Sequence, residues 1–245
     1  MILAADIGNT NINAAIIDKY GAIRRRFSTL TVKTDIGPLC KKVREAGEVE
    51  KIIIVSVVPE ALSKVRHELG KNFRRTPILI VGENIRVPLK CEYNKRQIGQ
   101  DRLITAFAAK SFYGLPVLII DFGTAVTFDA VSRKGVYLGG LILPGIKMSL
   151  ESLYERTALL PRTYLKKTRS FIGKDTASSI RNGMIYGYSA ICEKLIELFR
   201  KRIGIDIKVI ATGGDAPLIG YYARSMRKSD PDLSLKGLYL LSKTF

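Results

Sequence analysis

The sequence predicts an α/β fold made of two duplicated lobes, and three observations point there. An apolar strand runs into Asp-x-Gly with a threonine close behind it, first across Ile2–Thr10 and again across Val117–Thr124. Each copy is followed by a β-like run, Ile12–Ile17 and Val126–Val131, and then by a turn holding Gly21 or Gly135. Strands alternate with helical segments along the whole chain, and no low-complexity linker interrupts them. The repeat sets lobes of 1–114 and 115–245, with their two equivalent loops facing each other across a cleft.

The elements follow in order. Two strands surround the first loop within residues 1–17. Amphipathic helices over 35–47 and 59–72 flank the apolar strand Lys51–Val58. Pro77–Val81 reads as a short buried strand and Val87–Tyr93 as a more exposed extended segment. Helical spacing begins at Gly99 and puts Leu103, Ile104, Phe107 and Ala108 on one face, with Gly114 closing the helix. The second half repeats the plan with strands at 117–120, 126–131 and 136–142. Helices then follow at 148–157 and 178–202, where Ile191, Leu195, Leu198 and Phe199 form the expected core stripe. A last strand, Ile207–Ile210, enters Ala211-Thr212-Gly213-Gly214-Asp215-Ala216 and a helix beyond it.

Composition narrows the function. A chain of 245 residues, 47% hydrophobic and 25% charged, has the make-up of a soluble globular protein. The opening apolar stretch has no basic residue before it and stops at Asp6, so it reads as a buried strand and not a signal peptide. No apolar run approaches the length of about 20 residues that a membrane helix requires. Cys40, Cys91 and Cys192 are far apart and form no Cys-x-x-Cys, which argues against disulfides and zinc and for a reducing cytoplasm. His67 is the sole histidine and falls in a solvated helix, which removes Ser-His-Asp and Cys-His schemes. The net charge of +18 is spread over short clusters such as Arg24–Arg26 and Lys166–Arg169. No groove-reading helix or aromatic-interleaved strand accompanies it, so the charge draws anionic ligands without specifying nucleic acid.

The chemistry of the repeated loops points to phosphate. Glycine after a buried strand lets the backbone turn and offer N–H donors to an anion, and the threonine hydroxyl adds another. Aspartate repels phosphate, so Asp6 and Asp121 meet a nucleotide through a cation or act on a proton or water. Gly213-Gly214 supplies a third wall for the same pocket, while Gly139-Gly140 and Pro144-Gly145 read first as structural turns. Gly99-Gln100-Asp101-Arg102 opens a helix. Spacing alone favours an acid that complements the helix dipole and a surface arginine over a proton acceptor and an acid-binding fork. P-loop and Gly-x-Gly-x-x-Gly motifs are both absent, which makes P-loop enzymes and Rossmann dehydrogenases poor candidates.

Taken together, the motifs resemble the type III pantothenate kinases of the acetate/sugar kinase, heat-shock chaperone and actin superfamily. The match runs from Asp6–Asn11 through Gly99-x-Asp101-Arg102, Asp121–Asp129, Gly139–Gly145, Leu160-Pro161, Gly173-x-x-Thr176 and Thr212–Asp215 to Leu235–Leu238. The resemblance implies actin-like, ribonuclease H-like lobes. It implies ATP contacts by Asp6, Ile7, Gly8, Asn9, Thr10, Asn11, Ile12 and Asn13, and by Thr124. Mg²⁺ is expected near Asp6, and a monovalent cation (K⁺ or NH₄⁺) at Asp121. Pantothenate is expected against Tyr93, Gly99, Gln100, Asp101, Arg102 and Thr176, with Asp101 as general base. The implied reaction phosphorylates the primary hydroxyl of pantothenate to 4'-phosphopantothenate at the start of coenzyme A synthesis, in a cytoplasmic homodimer. Two residues depart from the pattern: Gln100 stands where the family usually has alanine, and Asp175 where it usually has asparagine. A regulatory, ATP-sensing or transcription-accessory module on the same fold is the alternative, and an intact Asp101 argues against it.

Overall fold

The computed structural model describes residues 1–33, 36–94 and 97–245, so residue 35 of the expected first helix lies outside the described residues. In chain order the first elements are β1 (Ile2–Ile7), β2 (Asn11–Ile17), β3 (Ile23–Leu30), α1 (Gly37–Ala46), β4 (Lys51–Ser56), α2 (Pro59–Asn72) and β5 (Ile78–Ile80). They are followed by β6 (Lys90–Cys91), α3 (Gln100–Tyr113), β7 (Val117–Phe122), β8 (Ala125–Val131), β9 (Val136–Pro144) and α4 (Ile146–Glu155). The chain continues with α5 (Thr176–Ile203), β10 (Lys208–Gly213), α6 (Ala216–Tyr222) and α7 (Leu233–Ser242).

The first unit holds a sheet of order β3-β2-β1-β4-β5. Strands β1, β2 and β3 form an antiparallel meander, and β4 and β5 run parallel to β1. Leu3, Ala5 and Ile7 of β1 point into a core with Leu39, Cys40 and Val43 of α1 and Ala61, Val65 and Leu69 of α2. The residues facing the other way, Ile2, Ala4, Ile53 and Val55, are buried too. Helix α7 lies against β1 and β4. Burial on both faces explains why these strands read as unbroken apolar runs instead of alternating ones. β3, at the sheet edge, shows the opposite character. Arg24, Arg25 and Arg26 are exposed along it, a charged edge that discourages pairing with other chains. Arg26 grips Asp232, just ahead of α7, through two hydrogen bonds of 2.8 and 2.6 Å.

The second unit repeats this plan. β7, β8 and β9 form the meander, β10 runs parallel to β7 and β6 parallel to β9, in the order β10-β7-β8-β9-β6. The place β5 occupies in the first sheet is reduced here to one parallel bridge between Ala211 and Ser229. Leu118, Ile120 and Phe122 pack with Val126 and Phe128 against α5 and α6.

Two expectations need correction. The apolar stripe expected on α5 faces the core only in part: Leu195 and Phe199 pack against it, but Ile191 and Leu198 are 38% and 47% exposed, and the centre of the buried face is Ile185, Tyr188, Ser189, Cys192 and Ile196. Polar Tyr188 and Ser189 belong to this face because their hydroxyls find acceptors, Pro144 O at 2.7 Å and Ile185 O at 2.7 Å. The chain also folds into units bounded differently from 1–114 and 115–245. The first comprises Met1–Leu89, Asn94–Ala108 and Asp232–Phe245, and the second Lys90–Tyr93 and Ala109–Pro231. The C-terminal segment belongs to the first unit because Leu233, Leu235, Leu238 and Leu241 are buried there. Among the described residues no helix is long and apolar enough to cross a membrane.

Candidate active site

Pairing of Ile7 with Ile12 closes β1 and β2 around a tight turn over residues 8–10. Gly8 N donates to Asn11 O at 2.9 Å. Thr31, almost wholly buried, fastens the same turn: its hydroxyl donates to Gly8 O at 2.6 Å and its amide to Thr10 O at 3.0 Å. Ile7 and Ile12 send their side chains into the core, so only their backbone remains for a ligand. Asn9, Thr10, Asn11 and Asn13 are exposed, and Asn13 Oδ1 accepts from the Ser28 hydroxyl at 2.8 Å.

Asp6 alternates with the core residues of β1 and therefore points to the opposite side of the sheet. Burial pushes its carboxyl up to about 6; the Ser234 hydroxyl from α7 donates to it and partly offsets that rise, and the charge of Asp101 adds to it. Asp101 is on the first turn of α3 and its Oδ1 accepts from Arg102 N at 2.8 Å. Any side chain at Gly99 would collide with this carboxylate, so glycine there leaves it room. Gln100 lies on Gly82, where a Cβ would be 2.9 Å from its Cγ. The larger side chain that replaces the family's alanine is thus absorbed by a glycine opposite it. Helix α3 is held by close packing, because Gly237 of α7 abuts Ile104 O, where a Cβ would be 2.6 Å away.

The second unit builds its turn with other clamps. Gly123 N donates to Ala125 O at 3.1 Å. Gly145 presses on the carbonyl oxygens of Gly123 and Thr124, leaving no space for a Cβ, and the Tyr188 hydroxyl holds neighbouring Pro144 O. Half-buried Thr124 and Asp121 flank this turn. Gly213, at φ 87°, lies so close to Asp121 that a Cβ would be 2.5 Å from both Asp121 Oδ1 and Phe122 O, whereas Gly214 faces open space. Gly213→Ala is expected to cost about 2–4 kcal/mol from backbone strain and steric overlap, and Gly214→Ala to leave stability near the parent's. Urea midpoints of the two variants check this contrast, and equal midpoints would remove the packing role given to Gly213.

Asp175 caps α5. Its Oδ1 accepts from Ser178 N at 2.8 Å and its Oδ2 from the Ser178 hydroxyl at 2.8 Å. Hydrogen bonds from Ser178 hold the Asp175 carboxyl below its ordinary value, so the departure from asparagine is used in capping. Thr176, the first residue of that helix, is exposed. Tyr93 lies over Gly139, where a Cβ would be 3.3 Å from its ring.

The first unit therefore gathers the 6–13 turn with Gly99, Gln100, Asp101 and Arg102. The second carries Tyr93, Asp121, Thr124, Thr176, Gly213 and Gly214. Sequence reasoning missed Thr31, Ser234 and Tyr188. A Thr-rich stretch at 29–31 and a serine two residues after Asp232 were the only cues, and neither has a distinctive spacing. Among the described residues no group of three or more His, Cys, Asp or Glu gathers as a metal cage. Asp6, Asp101 and the Ser234 hydroxyl are nevertheless hard oxygen donors, and Mg²⁺ is commonly held by one or two carboxylates together with substrate phosphates.

Two five-stranded sheets that share the same four-strand arrangement, β3-β2-β1-β4 and β9-β8-β7-β10, with an Asp-x-Gly turn after β1 in one and after β7 in the other, define a two-lobed actin-like ATPase fold, the class that includes sugar kinases. The chain belongs to the type III pantothenate kinase family, whose model matches residues 2–198, and it is a kinase by that membership. It is similar in structure to a conserved putative Baf family transcriptional activator from Campylobacter jejuni, with TM-score 0.62, 22% identity, and 99% and 98% of the two chains covered. A putative 2-dehydro-3-deoxygalactonokinase from Sinorhizobium meliloti aligns with TM-score 0.60 and 12% identity over 100% of this chain and 99% of that one. A ROK family glucokinase from Streptomyces griseus, in complex with glucose and AMPPNP, aligns with TM-score 0.52 and 14% identity over 100% and 99%.

Proposed function

We propose that the protein transfers the γ-phosphoryl group of ATP to the primary hydroxyl of pantothenate. The observation that carries this reading is Asp101 standing within electrostatic reach of Asp6 at the start of α3, in a chain of this family. Asp101 takes the hydroxyl proton as the substrate oxygen forms its bond to γ-phosphorus. The bond from that phosphorus to the β,γ-bridging oxygen breaks, and ADP leaves with the electron pair. The turn amides at residues 8–13, together with Thr124, Gly213 and Gly214, hold the nucleotide. Arg102 anchors the pantothenate carboxylate through its planar fork. Tyr93, Gly99, Gln100 and Thr176 complete the acceptor side. Mg²⁺ near Asp6 and K⁺ or NH₄⁺ at Asp121 supply charge neutralisation for the phosphates when bound. The same reading carries a homodimer working in the cytoplasm.

Release of ADP, followed in a coupled assay with ATP, Mg²⁺ and K⁺, is expected only when pantothenate is present, and to fall when Na⁺ replaces K⁺. A panel of other hydroxylated carboxylates is expected to give little turnover. ADP release that ignores pantothenate, or a better rate with another hydroxy acid, would overturn the substrate assignment. The Campylobacter neighbour's description keeps a regulatory reading in view; the base at Asp101 has no purpose in a sensor, and the same assay separates the two.

A further inference from the structure

We propose that the second unit carries an additional anion site that takes a compact polyphosphate group, at the end of its sheet opposite the Gly213 turn. Arg200, Val209, Arg224, Ser225, Arg227 and Lys228 line a concavity of about 420 Å³. Val209 is near the start of β10 and Gly213 at its finish. At about 3.3 Å per residue they are roughly 13 Å apart along the strand, so this concavity is separate from the 123–124 and 213–214 turns.

The charge pattern is what asks for a ligand. Four cationic side chains converge, and among the described residues none of the carboxylates forms an ion pair with Arg200, Arg224, Arg227 or Lys228. Glu193 is beside the rim, where its two oxygens accept from Ser225, one from the amide at 2.9 Å and one from the hydroxyl at 2.5 Å, and its single negative charge leaves the four cations in excess. Arg200 alone is explained by its place in the last turn of α5, where a cation complements the helix dipole. Lys228 has the Tyr113 ring beneath it, and Arg224 and Arg227 have no such explanation. Gathered like charges repel, and an anion relieves that repulsion while arginine forks match phosphate oxygens in pairs.

The site is also held ready. Ala211 N donates to Lys228 O at 2.9 Å and Asp230 N to Ala211 O at 2.8 Å, while Met226 is buried beneath the segment. The Lys228 ammonium rests 4.5 Å above the Tyr113 ring, and the Tyr113 hydroxyl donates to Asp230 at 2.7 Å. A compact polyanion fits better than a nucleic acid strand: the lining offers no aromatic face on which bases stack, and the cations cluster instead of forming a track.

The test uses the full chain with a saturating non-hydrolysable ATP analogue present, so that the nucleotide turns are filled. Calorimetric titration with inorganic tripolyphosphate is expected to reveal one further site. The Arg224→Gln/Arg227→Gln variant, which removes both charges while leaving a shorter polar amide at each position, is expected to bind at least tenfold more weakly, with a shallower salt dependence and unchanged melting temperature and kinase turnover. Arg227→Lys alone is expected to weaken binding less than the pair. Absence of a second binding event, or equal binding by parent and double variant, would overturn the proposal. So would a single-stranded oligonucleotide that binds more tightly than tripolyphosphate at the same salt.

Discussion

Asp101→Asn is expected to lower turnover by about 10²–10⁴-fold, the range that a positioned general base supplies, while leaving the affinity for ATP within about threefold of the parent's. The substitution is nearly isosteric. Asparagine Oδ1 can still accept from Arg102 N, so the first turn of α3 keeps its shape, and Gly99 still leaves room for the side chain. What is lost is the ability to take up a proton. Steady-state rates at saturating pantothenate, beside ATP affinity from calorimetry, separate chemistry from binding. A variant with near-parental turnover would show that the hydroxyl proton leaves by another route. A variant with parental chemistry but weakened ATP would instead assign Asp101 to the nucleotide.

The second large effect is expected at Asp6, where function and stability pull in opposite directions. Burial raises this carboxyl from 3.8 to about 6. A group whose folded value exceeds its unfolded one contributes stability that is fully present below the unfolded value, here about pH 4, and is lost as the pH rises through about 6. At pH 8 the ionised, half-buried Asp6 therefore costs about 3 kcal/mol at most, taking 1.36 kcal/mol per unit. Asp6→Asn is expected to abolish turnover and yet unfold at higher urea than the parent at pH 8, with the gap closing as the pH falls toward 4. Urea titrations of both proteins at pH 8 and pH 5 give the answer. A gap that stays constant across this range would mean that the charge on Asp6 is not what strains the fold. A carboxylate held at a stability cost beside a second one, Asp101, is characteristic of sites kept for chemistry.

Much of this was legible in the sequence because doubly buried strands leave a plain mark. β1, β4, β7 and the helix α3 could be drawn from apolar runs and from the spacing of Leu103, Ile104 and Ala108. β3 could not. Its three consecutive arginines look like a solvated cluster, and only the edge position, with Asp18 and Asp232 as partners, makes a strand of them. α7 escaped for the reverse reason: Leu233, Leu235, Leu238 and Leu241 are all buried, so no polar face marks a helical period. Half of the stripe on α5 was misplaced because two hydroxyl-bearing residues, Tyr188 and Ser189, occupy the core side while Ile191 and Leu198 face outward, beside Leu195 and Phe199 that do pack inward. The loops proposed to carry chemistry were read from glycine and aspartate spacing. Their fasteners, Thr31 and Ser234, were not, since a single hydroxyl far along the chain announces no partner.

The return of residues 232–245 to the first unit has a consequence for how the molecule is made. A ribosome delivers β1 and β4 first, but the leucines that cover their second face, and the serine that steadies Asp6, are delivered only after the whole second unit. The N-terminal half must therefore wait, with one side of its sheet uncovered, until the second unit has been threaded out, which makes that interval the one in which chaperones and aggregation compete for the nascent chain.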